Sequence, residues 1–165
     1  MPNFQNIADH GITADSAQPC GRSLNQLLKG SHRHWFVPAG KYIVEETLRL
    51  PSGTHLKLHP QATLQLADGA AQRNEDYLLT NADHEKGNVS IRIEGGVFDG
   101  NQVGNRRPEG LLDAGYSGAM LHFQNVKQLA LLHTTLTNSE AYYARFTHSK
   151  DHHPQYPRRM QPLRN

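Results

Sequence analysis

The histidines are the first residues whose type could support chemistry. The chain of 165 residues contains 11 of them. The spacing of His32 with His34, and of His55 with Lys57 and His59, would place each set on one face of a strand. A zinc site needs three or four convergent ligands, and neither set has an acid or a cysteine beside it. We therefore predict solvent-facing strand histidines, no metal site and no cofactor.

Asp99, Asn101 and Tyr142 are the candidates for contact with a saccharide. The Asp-Gly-Asn segment would suit a turn, because Asp and Asn make Asx hydrogen bonds and Gly tolerates positive φ; a groove-lining role is the alternative. Tyr142 could stack on a sugar ring, but it and Tyr143 are adjacent and would point to opposite faces of a strand. Asn138 is predicted to stack in a ladder of asparagines rather than to contact substrate.

Charge and composition exclude several classes of protein. The formal net charge is +2, but Arg158, Arg159 and Arg164 lie in a final segment without acids, and the rest of the chain has 14 basic and 15 acidic residues. We therefore predict no nucleic-acid partner. A single cysteine, Cys20, excludes an intramolecular disulfide. No apolar run approaches the roughly 20 residues that span a bilayer, and we see no signal peptide. The default prediction is a cytoplasmic protein without a membrane partner.

Short strands dominate the hydrophobic pattern. Leu56 and Leu58 alternate with polar residues, as do Leu64 and Leu66, and this period of two places the leucines on one face. Gly, Pro, Asn or Asp separates most of the segments. The predicted strands are Trp35–Val37, Tyr42–Val44, Leu48–Leu50, His55–Leu58, Thr63–Leu66, Tyr77–Leu79, Val89–Ile93, Met120–Phe123, Leu129–Leu132 and Tyr143–Phe146.

An internal repeat favours a solenoid over a sandwich or barrel. Residues 119–127 align with residues 142–150, so that Phe146 follows Phe123 by 23 residues. A unit of that length is about one coil of a parallel β-helix, although an antiparallel sandwich remains the alternative. One short helix is predicted at Ser23–Lys29, with Ser23 as N-cap and Gly30 as the stop. Such a helix would cap the open end of a solenoid core.

Several segments carry a resemblance to a known family, in the order in which the family has them. They are Asn6–Gly11, Phe36–Tyr42 with its Pro-Ala-Gly-Lys-Tyr turn, Leu50–Leu56 followed by Ala62–Leu64, Ile93–Asn101 with its Gly-Gly-Val-Phe-Asp-Gly-Asn run, and Leu136–Ser139. Together they resemble the N-terminal part of pectin-lyase-like proteins, and the Gly-Gly-x-x-Asp-Gly-Asn run is similar to that of polygalacturonases. The resemblance implies an all-β, single-stranded right-handed parallel β-helix with a short N-terminal capping helix.

The same resemblance implies a polysaccharide partner and an inverting glycoside hydrolase. Such enzymes use one carboxyl group as acid and another as base, about 6.5 to 9.5 Å apart. In the family this chemistry belongs to an Asn-x-Asp segment, an Asp-Asp pair, a Gly-His segment and an Arg-x-Lys segment. These follow the matched region. The chain has no Asp-Asp, no Gly-His, no Asn-x-Asp in that context and no Arg-x-Lys in a late coil; Arg92-Ile93-Glu94 has an acid where the lysine would stand. We therefore assign no catalytic residue, and whether the chain is an enzyme stays open.

The end of the chain departs from the pattern. Residues 1–151 are expected to be the N-terminal part of one β-helix domain, whereas residues 152–165, with three prolines, are expected to be irregular and without a strand. A frameshift near Asp151 in a longer enzyme is one hypothesis, and a natural disordered tail is the other. A non-catalytic binding or structural β-helix, such as a tailspike-like shaft, is the alternative function. In either case an open last coil could self-associate through its exposed edge.

Overall fold

The computed structural model describes residues 3–106 and 119–148, together with the backbone of residues 153–154. Its helical elements are a 3-10 turn at Ile7–His10 and α1 at Gly21–Lys29. The strands are β1 Gln5–Asn6, β2 His34–Val37, β3 Gly40–Val44, β4 Leu48–Leu50, β5 His55–Leu58, β6 Ala62–Leu66, β7 Leu79–Asn81, β8 Asn88–Glu94, β9 Val97–Asp99, β10 Ala119–Gln124, β11 Val126–Leu132, β12 Thr135–Thr137, β13 Tyr142–Thr147 and β14 His153–Pro154.

The strands form three parallel sheets. Sheet A has the order β1-β2-β5-β8-β11-β14, sheet B has β3-β6-β9-β12, and sheet C has β4-β7-β10-β13. From β2 onward every third strand returns to the same sheet, so the chain winds in successive coils. Every strand pairing within the described residues is parallel. The predicted parallel β-helix is therefore confirmed, and the antiparallel sandwich is wrong.

The repeat in the sequence is the register of the coils. Phe123 pairs with Phe146 across β10 and β13, and their rings stack with centroids 6.0 Å apart and an interplanar angle of 9°. The predicted alternation is also confirmed, because Leu56, Leu58, Leu64 and Leu66 are buried in one core. Burial of these apolar side chains is the main stabilising contribution in such a solenoid.

The helix α1 begins two residues earlier than predicted, and Ser23 is not its N-cap. The N-cap position is Cys20, which makes no side-chain capping bond. Instead, the Glu45 carboxylate accepts hydrogen bonds from the backbone N–H groups of Gly21 (2.7 Å) and Arg22 (3.1 Å). Leu24 and Leu28 of α1 belong to the core. The helix is therefore held by a residue from the first coil.

Besides the two-residue strands β1 and β14, two strands of the coils were not predicted from the hydrophobic pattern. They are β9 (Val97–Asp99) and β12 (Thr135–Thr137), each of three residues, and their polar side chains hide the alternation. Another strand, β7, begins at Leu79 rather than at Tyr77. The two-residue strand β14 pairs with Ala130 and Leu131 of β11, within the segment for which no strand was expected. The rest of that segment lies outside the described residues, as does the proposed equivalence of Lys150 with Lys127.

A left-handed residue marks the corner between sheets C and A in successive coils. Gly87, Asn125 and His148 have φ values of 81°, 56° and 52°. Asn125 is the single residue between β10 and β11, and its Nδ2 donates to the carbonyl oxygen of His84 at 2.7 Å. An added Cβ at Gly87 would clash with the carbonyl oxygen of Asn125. The corner therefore requires residues that tolerate positive φ.

Candidate polysaccharide-binding face

A row of polar side chains crosses the outer face of sheet C. The register pairs Arg49 with Thr80, Thr80 with His122, and His122 with Arg145, one residue from each of four consecutive coils. The residues on both sides of Arg49 and of His122 belong to the core, as Leu48 and Leu50 do around Arg49. Beside Arg145, Ala144 and Phe146 pack against the core, and Thr80 lies between Leu79 of the core and the buried polar Asn81. Since neighbouring strands lie about 4.8 Å apart, this row runs along the axis of the solenoid.

Two side chains from the connections flanking β7 lie against the row. The ring of Tyr77 makes an edge contact with His122 (centroids 5.0 Å apart), and the ring of His84 makes another (5.2 Å). Tyr77 is 5% exposed and His122 only 3%. We call Tyr77, Thr80, His84, His122 and Arg145 the sheet C cluster. Tyr77, Thr80 and His122 of this cluster are buried, His84 and Arg145 are half-buried, and none of the five belongs to the apolar core.

Hydrogen bonds fix most of this layer. The Thr80 hydroxyl donates to the His122 carbonyl oxygen at 2.5 Å and contacts His84 Nε2 at 2.6 Å. A hydroxyl has one proton to donate, so in this arrangement His84 Nε2 carries the proton of its contact with Thr80. Nε2 of His122 lies 3.2 Å from the Thr147 hydroxyl, whereas the buried Nδ1 of His122 has no hydrogen-bond partner within residues 3–106 and 119–148.

Burial and two arginines control the electrostatics of the cluster. Burial, reinforced by Arg145 and His84, lowers the pKa of His122 to about 4. Burial and Arg49 also lower the pKa of His84, against an opposing effect of Asp83. Burial raises the pKa of Tyr77, although Arg145, which forms a side-chain hydrogen bond with it, opposes the rise. At neutral pH both imidazoles are therefore neutral and the phenol is protonated.

The guanidinium groups of Arg49 and Arg145 would allow the row to bind carboxylates. Arg49 is exposed and Arg145 is half-buried, and they occupy the two ends of the four-coil row. A guanidinium group presents a planar fork of N–H donors that matches a carboxylate. An extended ligand with carboxylates along its length could therefore lie on this face parallel to the solenoid axis.

Asp99 and Asn101, two of the predicted saccharide contacts, lie together at the end of β9 in sheet B. The Asp99 carboxylate accepts hydrogen bonds from Gln65 Nε2 (2.8 Å), the Asn101 backbone N–H (2.8 Å) and Asn138 Nδ2 (3.1 Å). Asn101 Nδ2 in turn donates to Asp68 Oδ1 at 2.8 Å. Asp99 thus connects three consecutive coils, and Asn138 pairs with an aspartate rather than stacking in a ladder of asparagines.

Tyr142, the third predicted contact, lies on a different sheet from Asp99. It begins β13 in sheet C and is 57% exposed. The register places it opposite Ala119, with Ala144 opposite Leu121, so along the strand it follows the inward alternation rather than the outer row. The structure therefore does not place Tyr142 in the row that contains His122.

The prediction that strand histidines face solvent is wrong for His122, which is buried beneath Tyr77 and His84. His34 and His55 are half-buried on the outer face of sheet A, where the ring of Phe4 contacts both. Within the described residues, three or more His, Cys, Asp or Glu side chains nowhere gather closely enough to hold a metal ion.

Sequence reasoning missed the sheet C cluster. The 23-residue repeat does align His122 with Arg145, and that alignment was the available signal. Thr80 and Arg49 are separated from the repeat by connections of unequal length, so their place in the row depends on the three-dimensional register. Tyr77 and His84 come from outside the strands.

The structure is similar to several solved structures. It matches a family 28 exopolygalacturonase from Yersinia enterocolitica with a TM-score of 0.69 and 18% identity, covering 90% of this chain and 37% of that one. It also matches pre-mature gene product 12 of bacteriophage phi29 (TM-score 0.65, 20% identity, 78% of this chain and 17% of that one). It further matches the A-module of the mannuronan C-5 epimerase AlgE4 from Azotobacter vinelandii, with a TM-score of 0.57 and 16% identity. That match covers 90% of this chain and 41% of the other. The fold is that of the right-handed parallel β-helix proteins.

This β-helix chain spans less than half the length of each of those three structures. No family model matches its sequence, and no curated protein does so either. At these identities the likeness concerns the fold alone. In the part of the chain that the structure describes, no helix has the length and apolar character needed to cross a membrane.

Proposed function

We propose that this chain is the N-terminal portion of a polygalacturonase-like, polysaccharide-acting β-helix protein, and that the outer face of sheet C binds an acidic polysaccharide. The observation that carries the proposal is the aligned row Arg49–Thr80–His122–Arg145. It presents two guanidinium groups along the solenoid axis, which is the direction in which a linear polymer can contact successive coils.

The chemistry of the row favours an acidic sugar over a neutral one. A uronate carboxylate can accept two parallel N–H bonds from an arginine. A neutral sugar hydroxyl does not offer two parallel acceptor oxygens or a negative charge. Arg145 is positioned by its hydrogen bond with Tyr77. Such preorganisation reduces the entropy lost when a ligand binds. Two of the structural neighbours are named for an exopolygalacturonase and a mannuronan epimerase, which supports a polysaccharide ligand.

In this proposal the chain binds the polysaccharide but does not itself cleave it. Inverting hydrolysis requires two carboxyl groups with room between them for water. The strand carboxylates of Glu94 and Asp99 are both engaged with neighbouring side chains: Glu94 with His55 and Arg92, and Asp99 with Gln65 and Asn138. The catalytic acid and base of the full-length family would belong to coils that follow this region.

A non-catalytic binding or structural module is the second candidate. The observation that favours it is the same engagement of Glu94 and Asp99, which serve to join coils. The phage protein among the structural neighbours has the same fold. The two candidates differ in whether a protein extended by further coils releases reducing ends from a polyuronate.

Titration calorimetry with oligogalacturonides of defined length tests the binding face. We expect Arg49→Gln and Arg145→Gln each to weaken binding at least tenfold, because a hydrogen bond to a charged group contributes roughly 1.5–3 kcal/mol. The matched control is Arg92→Gln, whose side chain is 46% exposed and belongs to β8 of sheet A. Equal losses in all three variants, or tight binding of an uncharged oligosaccharide, would contradict the proposal.

A further inference from the structure

The sheet C cluster brings two histidines into contact with each other and with cationic neighbours. His84 and His122 lie with their ring centroids 5.2 Å apart. Around them are Arg49 from β4, Asp83 beside His84, Tyr77 ahead of β7 with Glu75 near it, and Arg145 from β13. Of the charged groups that act on the two rings, Arg49 and Arg145 are positive and Asp83 is negative, whereas Glu75 acts on Tyr77.

We propose that Tyr77, His84, His122 and Arg145 form an acid-sensitive latch on the outer face of sheet C, which opens when the two imidazoles become protonated. In the closed latch, Tyr77 ahead of β7 and His84 after β7 lie over His122 of the row. Its closed state requires both imidazoles to be neutral.

The geometry explains why a proton on His122 is not tolerated in the closed state. Among the described residues its buried Nδ1 has no hydrogen-bond partner, so an imidazolium here would carry a second N–H donor that none of them accepts. An unsatisfied buried donor costs free energy, and more so when it is charged. The proton would also lie beside the Arg145 guanidinium. Opening relieves both penalties, because it exposes the ring to water and separates the charges.

Protonation of His84 also favours the open state. In the closed state its Nε2 donates to the Thr80 hydroxyl, which in turn donates to the His122 carbonyl oxygen. Nδ1 of His84 would take the added proton, close to His122 and within the influence of Arg49 and Arg145. The two imidazoles are therefore coupled, and their protonation favours the same open state.

The sign of the effect follows from the lowered pKa values. A group whose pKa is lower in the closed state than in water stabilises that state at neutral pH, and the contribution is lost as pH falls below the ordinary value. The pKa of His122 is about 4 in the closed state and should be near the ordinary value of about 6.5 in the open state. The equilibrium constant for opening should therefore rise about 30-fold between pH 7.5 and pH 5. His84 adds to that rise. Release of a bound polysaccharide by this opening rests on the proposed function, but the opening itself does not.

Hydrogen exchange of the full chain, without saccharide and corrected for the intrinsic effect of pH, tests the latch. The reporting amides are those of Leu78, bonded to the Met120 carbonyl oxygen at 2.8 Å, and Gln124, bonded to Asn81 Oδ1 at 2.9 Å. Their opening equilibrium should increase about 30-fold from pH 7.5 to pH 5. The amide of Ala67, which bonds to Val44 at the end of sheet B, should change little.

Variants separate the latch from general acid sensitivity. His122→Gln keeps a polar atom that can reach Thr147 but removes the titration, so the rise should shrink to a few-fold. His133→Asn, at an exposed corner with φ of 52°, should keep the full rise. If His122→Gln does not fold, the imidazole pKa of His122 in the unmodified chain, measured by NMR, decides.

A His122 pKa near 6.5, or equal protection of Leu78 and Gln124 at both pH values, would overturn the latch. Failure of the unmodified chain to bind oligogalacturonides would refute the proposed function instead, because exchange is measured without saccharide.

Discussion

The carboxylate of Glu45 caps the helix that begins at Gly21. Its two oxygens accept the backbone N–H groups of Gly21 and Arg22 at 2.7 and 3.1 Å. This contact spans 24 residues of sequence and ties α1 to the corner that follows β3. The same corner is tied a second time, because Asn25 Nδ2 donates to Glu46 Oε1 and to the Thr47 carbonyl oxygen. The helix is therefore attached to the first coil by directional polar bonds as well as by apolar packing.

Replacement of Glu45 by Gln should destabilise the chain by about 1 kcal/mol, the usual contribution of a helix N-cap with a favourable charge. The carboxamide can still accept one N–H bond but no longer carries the negative charge. Urea unfolding followed by circular dichroism measures the change. Glu85→Gln, at an exposed position, is the control and should alter the free energy of unfolding by less than 0.5 kcal/mol. Equal effects in the two variants would show that Glu45 does not act as a cap.

Cys20 should react slowly with thiol reagents. Burial, followed by the nearby Glu45 carboxylate, raises the pKa of its thiol to about 11. Since the thiolate is the nucleophile, alkylation by iodoacetamide at pH 8 should be roughly 100-fold slower than for a free cysteine. The rate should recover in urea, and it should rise in the Glu45→Gln variant. A native rate equal to the unfolded rate would contradict the raised pKa.

The pattern of alternation and the 23-residue repeat were sufficient to predict the parallel coils. Leu56, Leu58, Leu64 and Leu66 fell on the core face, and Phe123 pairs with Phe146, because both features depend on local periodicity. The helix cap was not predictable in this way. Ser23 has the right chemistry for an N-cap, but the residue that caps α1 lies one coil later in the sequence.

The sheet C cluster shows a second limit of the sequence. His122 alternates with apolar residues in β10, and this alternation predicts an outward, exposed side chain. The outward direction is correct, but Tyr77 and His84 come from connections whose path no periodicity describes, and they cover it. A strand register alone therefore gives the direction of a side chain but not its burial.

The Gly87 corner provides a strong test of the coil geometry. Gly87→Ala should cost several kcal/mol, because the residue combines a φ of 81° with a Cβ position that would clash with the Asn125 carbonyl oxygen. The control is Gly69→Ala, where φ is 70° but no atom lies within 4 Å of the added Cβ. That variant should lose only about 1–2 kcal/mol, the cost of the left-handed conformation itself. Thermal unfolding of the two proteins measures the difference, and equal midpoints would mean that the two coils are not in contact at this corner.

Glu94 on the outer face of sheet A should make a stabilising contribution that depends on pH. Burial raises the pKa of its carboxyl group, but hydrogen bonds from Arg92 and His55 outweigh this effect and lower it. A carboxyl group whose pKa is lower in the folded state stabilises that state above its unfolded pKa, near 4.3, and loses the contribution as pH falls through the folded value.

Glu94→Gln should therefore reduce the free energy of unfolding at pH 7 and have a much smaller effect at pH 3. The loss at pH 7 should be no more than about 1 kcal/mol, because the side chain is 26% exposed and water screens the ion pair with Arg92. Urea titrations of both proteins at the two pH values measure it, and 1 M salt should diminish the loss at pH 7. A difference between the proteins that grows as the pH falls would mean that Glu94 is held in its neutral form, contrary to the contacts with Arg92 and His55.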